Sequence, residues 1–304
     1  MTPRSVTCAA VMAGALSALV AAPVPAVAQL SGSSWDDADW SVFHDKVRWA
    51  LEARLDTLPL GETVAAMGRS FVGTAYVART LEPEGPEHLV INFRGLDCVT
   101  FVETALSLAR FVRLPEAAKL LEARVRAEDR YEELLAQVRY RAGLLDGYPS
   151  RLHYFSDWIA DAQAKGLVTD VTPKLGGVID SEAVDFMSTH AEAYRQLSDP
   201  ENLAAIRATE TRLTSQGRWY VPEEGLEAAA SSIHNGDIIA ATSTVAGLDV
   251  AHTGVALWVE GTLRLLHAPL VGDSVQVSEE SLPQRIRRIP GQDGILVARP
   301  GWEW

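Results

Sequence analysis

The order in which the two hydrophobic periods occur constrains this chain most. Helical spacing dominates up to about residue 214, and short apolar runs broken by Gly and Asp take over after residue 236. Helices first and strands last predict an α+β architecture with an antiparallel sheet, because a parallel sheet would need helices interleaved between its strands. The predicted strands are Gly236–Ala241, His252–Val259, Leu263–His267 and Ile295–Arg299, with Glu260-Gly261 as a tight turn between the second and third. Predicted helices cover Phe43–Leu55, Thr63–Phe71, the stretch from Cys98 to Val112, one or two exposed helices in Pro115–Ala142, Ser181–Tyr194 and Pro200–Thr214. Gly73–Val77 reads as a turn with an extended piece, and Leu89–Phe93 as a strand leading into the Cys98 helix. No internal repeat or Pro/Gly-rich linker divides the chain.

The amino terminus has its own pattern. Arg4 precedes an apolar run from Ala9 to Ala22, and Ala26-Val27-Ala28 forms a small-x-small cleavage site, so residues 1–28 read as a secretory signal peptide. The protein is then expected to be exported, to a periplasm or the extracellular space, with no stable membrane anchor. Residues 29–59 are a helical extension, and residues 60–304 are one domain with a helical insertion over about 113–230. With 47% hydrophobic and 22% charged residues the chain is globular. A net charge of −13 without a basic patch argues against nucleic acid as a partner. Oligomeric state leaves no mark on the sequence.

Loss of the leader removes Cys8 and leaves Cys98 as the single thiol of an exported chain. No disulfide can protect it, so it is either buried as a small hydrophobe or used. Its setting favours use. Cys98, Phe101, Val102, Ala105, Ala109 and Val112 share one helix face, while Thr100, Glu103, Ser107 and Arg110 lie on the other. Asp97 is the expected N-cap, which places the sulfur in the first turn. The helix dipole and free N–H groups there are expected to lower the thiol pKa from about 8.5 and to receive an oxyanion.

A thiolate mechanism needs a base and a group that fixes the base's tautomer. Seven histidines are available: His44, His88, His153, His190, His234, His252 and His267. His252 opens one predicted strand and His267 closes the next across the Glu260-Gly261 turn, so an antiparallel hairpin would bring them together. The segment Arg151–Trp158 is dense in polar and aromatic side chains and fits either a substrate groove or core. No Cys-x-x-Cys, His-Glu-x-x-His, phosphate loop or Gly-x-Ser-x-Gly elbow occurs, so neither a metal nor a cofactor is expected.

Gly73-Thr74-Ala75-Tyr76, Asp97-Cys98, Gly236-Asp237, His252-Thr253-Gly254-Val255 and His267-Ala268 resemble, in order, the landmarks of the NlpC/p60-type cysteine hydrolases, a papain-like superfamily acting on peptidoglycan. More closely, Leu96–Glu103, Ser150–Trp158 and Gly247–His252 resemble one branch, long catalogued as a domain of unknown function and understood as N-acetylmuramoyl-L-alanine amidases. The resemblance spans about residues 60–300. It implies a papain-like NlpC-type fold with Cys98 as nucleophile, His252 as base and His267 as the orienting residue. It also implies that Tyr76 and Asp97 face the substrate, that Arg151, His153, Asp157 and Trp158 belong to a branch-specific substrate-binding segment, and that a muropeptide is the substrate. Val99 stands where many superfamily endopeptidases have Ser holding a free amino terminus. That departure suits an acylated L-alanine nitrogen better than a γ-D-glutamyl endopeptidase. A non-catalytic muropeptide-binding homologue is the other alternative.

Overall fold

The structure, a computed structural model, describes residues 35–301; the signal-peptide reading of residues 1–28 lies outside them. The helices are α1 (Asp37–Glu52), α2 (Leu60–Arg69), α3 (Cys98–Val112), α4 (Ala117–Leu121), α5 (Arg124–Arg139), α6 (Phe155–Ala164), α7 (Phe186–Thr189), α8 (Pro200–Gln216), α9 (Leu226–Ala230) and α10 (Leu282–Arg288). The strands are β1 (Ala75–Tyr76), β2 (Gly95–Leu96), β3 (Val168–Asp170), β4 (Val178–Asp180), β5 (Arg218–Pro222), β6 (Ile238–Thr242), β7 (Val250–Val259), β8 (Thr262–His267), β9 (Gln276–Val277) and β10 (Gly294–Pro300).

The main sheet runs β4-β5-β10-β6-β7-β8-β9 and is antiparallel throughout. One edge of β10 is shared: β5 covers Gly294 and Ile295, and β3 covers Ala298 to Pro300. The period of two sorts its side chains between two cores. Ile238, Ala240, Leu296 and Ala298 face the large helical layer, whereas Ile239, Ala241, Ile295 and Val297 face α9 and α10. Glu260 and Gly261 both have positive φ, 50° and 77°, and join Val259 to its partner Thr262 as a two-residue turn matched to the strand twist.

Gly236, which leads into β6, has φ +81°, and a Cβ there would lie 1.9 Å from the Gly61 carbonyl oxygen. No other residue lets α2 approach the sheet so closely.

The helical layer is centred on α3, which is buried along nearly its whole length. Its apolar face meets α2 and β7. Its polar face is buried too, because α5 supplies partners: Arg139 bonds Glu103 at 2.7 Å, and Arg110 bonds Gln137 at 2.6 Å and the Leu134 carbonyl. α5 is accordingly not an exposed helix, since Ala127, Tyr131, Leu134, Leu135 and Val138 repeat at helical spacing and are buried. α1 begins earlier than the apolar pattern predicts, because Asp36 caps it by accepting the Asp39 N–H at 2.7 Å. Its Phe43 packs with Phe93, Phe111 and Tyr131 at centroid distances of 5.0–5.9 Å, so residues of the expected extension belong to the central core.

Leu89–Phe93 is not a strand. Leu89, Ile91 and Phe93 are buried at period two, but the segment's backbone pairs with side chains: Phe93 N–H with Asp39, and the Val90 carbonyl with Arg139. Ser181–Tyr194 is not one helix either, and contains only the single turn α7 and a 3-10 turn. The insertion holds a small core of its own from Tyr148, Tyr154, Val184, Met187, Leu197, Ile206 and Leu213.

Candidate active site

Cys98 is the first residue of α3 and is half-buried. The parallel pair of β1 and β2 delivers the chain to Asp97, which forms a reciprocal capping box with Thr100. Asp97 Oδ1 accepts the Thr100 N–H at 2.8 Å, and Thr100 Oγ1 accepts the Asp97 N–H at 2.9 Å. Among the described residues neither the Cys98 nor the Val99 N–H bonds another residue, so the helix start keeps two donors beside the sulfur. The expected fall in thiol pKa does not occur. Burial pushes the Cys98 thiol up to about 11, the Asp97 carboxylate adds to the rise, and hydrogen bonding from Thr253 opposes it. The positive end of the helix is already matched by the carboxylate that caps it, so it cannot hold a resting thiolate as well.

The two strand-end histidines meet. His252 Nε2 and His267 Nδ1 are 2.7 Å apart, with the rings nearly perpendicular at 85°. A bulge where β6 pairs with β7 between Ala241 and Thr242 re-aims the chain next to His252. Burial pushes His252 down to about 3 and His267 down to about 2, with the nearby Arg285 guanidinium lowering both. Both rings are therefore neutral at pH 7, and one donates to the other. His252 Nδ1 has no protein partner among the described residues. Next in sequence, Thr253 donates its hydroxyl to the Cys98 carbonyl at 2.8 Å and so ties β7 to the start of α3. Tyr76 stands close enough to Cys98 and Asp97 that their charges, after burial, raise its phenol pKa.

Cys98, Val99 and His252 line one cavity of about 140 Å³, whose wall includes His153, Tyr154 and Tyr194. Of the branch-specific residues, His153 alone is in that wall. Its Nε2 lies 2.9 Å from the Tyr148 carbonyl, which can only accept, and burial together with Arg151 pushes its pKa well down. The ring is thus neutral with Nδ1 bare, an acceptor for a ligand hydroxyl or amide. The other three are displaced from the expected ligand surface. Arg151 is buried in ion pairs with Glu82 and Glu87 and lies over the Tyr148 ring. Asp157 is buried between Arg141 and Arg212. Trp158 is fully buried and stacks on Phe155 at 4.8 Å. They brace the wall from behind because buried charges persist only when paired and a ring this large is most stable away from water.

The sequence reading missed Asp249, Thr253 and Tyr194. Asp249 is buried in the cavity wall and accepts the Ser156 N–H at 2.8 Å, linking the start of α6 to the strand that carries His252. A carboxylate three residues before a strand-end histidine was a legible signal; Tyr194, remote in sequence, gave none. Among the described residues no group of three or more His, Cys, Asp or Glu side chains could hold a metal ion, and no helix is long and apolar enough to cross a membrane.

Residues 66–295 match the family model described as AmiA-like, N-acetylmuramoyl-L-alanine amidase-like. An N-acetylmuramoyl-L-alanine amidase from Bacteroides uniformis is similar at 34% identity and TM-score 0.72, over 80% of this chain and 99% of that one. A protein from Bacteroides fragilis called a putative xylanase is similar at 38% identity and TM-score 0.70, over 77% of this chain and 99% of that one. A Legionella pneumophila protein at 22% identity and TM-score 0.63, over 86% of this chain and 96% of that one, shares the fold. No curated protein sequence matches the chain. By the match over residues 66–295, this chain belongs to the N-acetylmuramoyl-L-alanine amidase-like family.

Proposed function

We propose that the protein is a cysteine hydrolase of the NlpC/p60 type, papain-like in its catalytic layout, that cleaves the amide between the muramyl lactyl group and L-alanine of muropeptides. The observation that carries this reading is the convergence on one cavity of Cys98, at a helix start with two free N–H donors, and His252, whose other ring nitrogen is held by His267. Cys98 Sγ attacks the lactyl carbonyl carbon while its proton passes to His252 Nδ1. His252 Nε2–H donates to His267 Nδ1, which keeps Nδ1 basic. The Cys98 and Val99 N–H groups, with the Tyr76 hydroxyl, receive the oxyanion. His252 then protonates the L-alanine nitrogen, the C–N bond breaks and the amine leaves. Water, deprotonated by His252, attacks the thioester and releases the muramyl carboxylate and the Cys98 thiol.

Proton transfer is coupled to attack, because a thiol near 11 beside an imidazole near 3 is neutral before substrate arrives. The aromatic wall of Tyr154, Phe155 and Tyr194 and the bare His153 Nδ1 suit a sugar face and its polar substituents. Val99 in the same wall offers no partner to a free amine, which favours the amidase over the endopeptidase. A glycosidase needs two carboxylates about 5–9.5 Å apart. Among the described residues Asp249 is the one carboxylate in this cavity wall, and it is already bonded to backbone N–H groups. An extracytoplasmic substrate agrees with the export reading of the leader. Digestion of defined muropeptides with mass analysis of products tests the proposal: free lactyl carboxylate and L-alanyl peptide are expected, and an intact sugar-to-alanine bond in every product rules the amidase out.

A further inference from the structure

A second cavity, of about 530 Å³, opens on the other side of the imidazole pair and shares Ala251 and His252 with the first. Arg285 on α10 lines it. This arginine is 7% exposed, yet its guanidinium has no hydrogen bond or ion pair among the described residues, and its Nε is wholly buried without a partner. The surrounding charges do not satisfy it: Arg288 and Glu280, in the same wall, are paired with each other at 2.8 Å, and Glu279 is exposed at the rim. Burying an unpaired cation is costly, and proteins retain such a group where something else neutralises it. Gln292 also lines this cavity, and its side-chain oxygen is buried without a donor. An unpaired bidentate donor and an unpaired acceptor at one site describe a ligand with a carboxylate and an adjacent N–H, which is a peptide rather than a sugar. In a chain of net charge −13, an unpaired buried arginine is where an anionic ligand meets least repulsion.

We propose that this cavity is a carboxylate subsite in which Arg285 grips the acidic residue that follows L-alanine in the stem peptide, while Gln292 accepts one of its amide N–H groups. The assignment rests on the amidase reading, since a ligand spanning both cavities would pass its scissile amide beside His252. Sugar would then lie against the aromatic wall and the peptide against α10.

The test is calorimetric binding to the Cys98→Ala protein, which cannot turn over, of N-acetylmuramoyl-L-alanyl-D-glutamic acid and of its diamide. The diacid is expected to bind about tenfold to a hundredfold more tightly, the worth of a charge-assisted bidentate contact. Arg285→Gln should erase that difference and Arg285→Lys should keep part of it. Equal affinity of diacid and diamide, or a preference that survives Arg285→Gln, overturns the subsite; the ligand comparison needs no Arg285 variant to fold. Turnover by the intact enzyme separates the two readings. Cleavage without a charge preference leaves the amidase standing and removes the subsite. An Arg285-dependent preference with no lactyl-alanine cleavage does the reverse, and absence of binding by either compound removes both.

Discussion

Replacing Arg139 with Met should cost about 3–5 kcal/mol at pH 7, and the cost should shrink as the solution is acidified. Arg139 and Glu103 are 3% and 2% exposed and 2.7 Å apart, and the same guanidinium holds the Val90 carbonyl at 2.7 Å. Methionine fills much of the volume but leaves the carboxylate in a dry site and the carbonyl without its donor. Two unit charges about 4 Å apart attract by about 4 kcal/mol at an effective dielectric near 20, and breaking one side of a buried pair costs about 3–5 kcal/mol in practice. Even with Arg139 present, burial holds the Glu103 carboxyl above the ordinary range. Without Arg139 it rises further. Between the two folded Glu103 pKa values the folded variant binds a proton that folded wild type does not, so the variant gains stability relative to wild type as pH falls through that window, by up to about 1.4 kcal/mol per unit, and the gain ends at the wild-type value, above the ordinary carboxyl range. Urea denaturation of both proteins at pH 7 and pH 5 measures this directly. Pairing Arg139→Met with Glu103→Leu should recover most of the loss, because an apolar pair of similar volume replaces the ionic one. A loss below about 1 kcal/mol at pH 7, or the same loss at both pH values, refutes the reasoning.

The kcat/KM profile should be flat between pH 5 and 9, since the active free enzyme carries neutral His252, near 3, and protonated Cys98, near 11; a limb at pH 6–7 would contradict the neutral resting pair. Alkylation of Cys98 by iodoacetamide at pH 7 should be slow and should accelerate about tenfold per pH unit, because only about one thiol in ten thousand is ionised there; rapid labelling at pH 7 would overturn that assignment. His267→Ala should leave the fold intact by circular dichroism and lower kcat about 10²–10⁴-fold by freeing the His252 tautomer, and unchanged kcat would deny it the orienting role. Gly236→Ala should lose at least about 2 kcal/mol in thermal or urea unfolding, since it meets both a positive φ and the Gly61 carbonyl; neutral behaviour would show that α2 can move away.

Much of this arrangement was legible because it rests on local rules. Asp97 before an amphipathic run marks a helix start, so the place of Cys98 in the first turn followed from sequence. Glu260-Gly261 between two apolar runs marks a hairpin, and hairpin geometry alone brought His252 to His267. What sequence could not supply was environment. The direction of the Cys98 shift depends on burial and on Asp97 having already used the helix end, neither of which the helix pattern encodes. Aromatic and charged residues in Arg151–Trp158 suggested a binding face, but Arg141, Arg212, Glu82 and Glu87 come from outside that segment and turn three of its four named residues into buried supports. Leu89–Phe93 carried the period of a strand without a strand to pair with, since Asp39 and Arg139 side chains took its backbone partners. Short strands such as β3 and β4, three residues each, exist only because β10 and β5 offer an edge to them.

The central claim is that the Cys98 sulfur forms the covalent link to substrate, and intact-protein mass measurement after rapid acid quench reads it most directly. During turnover of N-acetylmuramoyl-L-alanyl-D-glutamic acid, the protein should gain the mass of the muramyl acyl group, held on Cys98 as a thioester. Cys98→Ala should show neither adduct nor released L-alanyl peptide. Release of that peptide at an undiminished rate by Cys98→Ala would place the chemistry elsewhere.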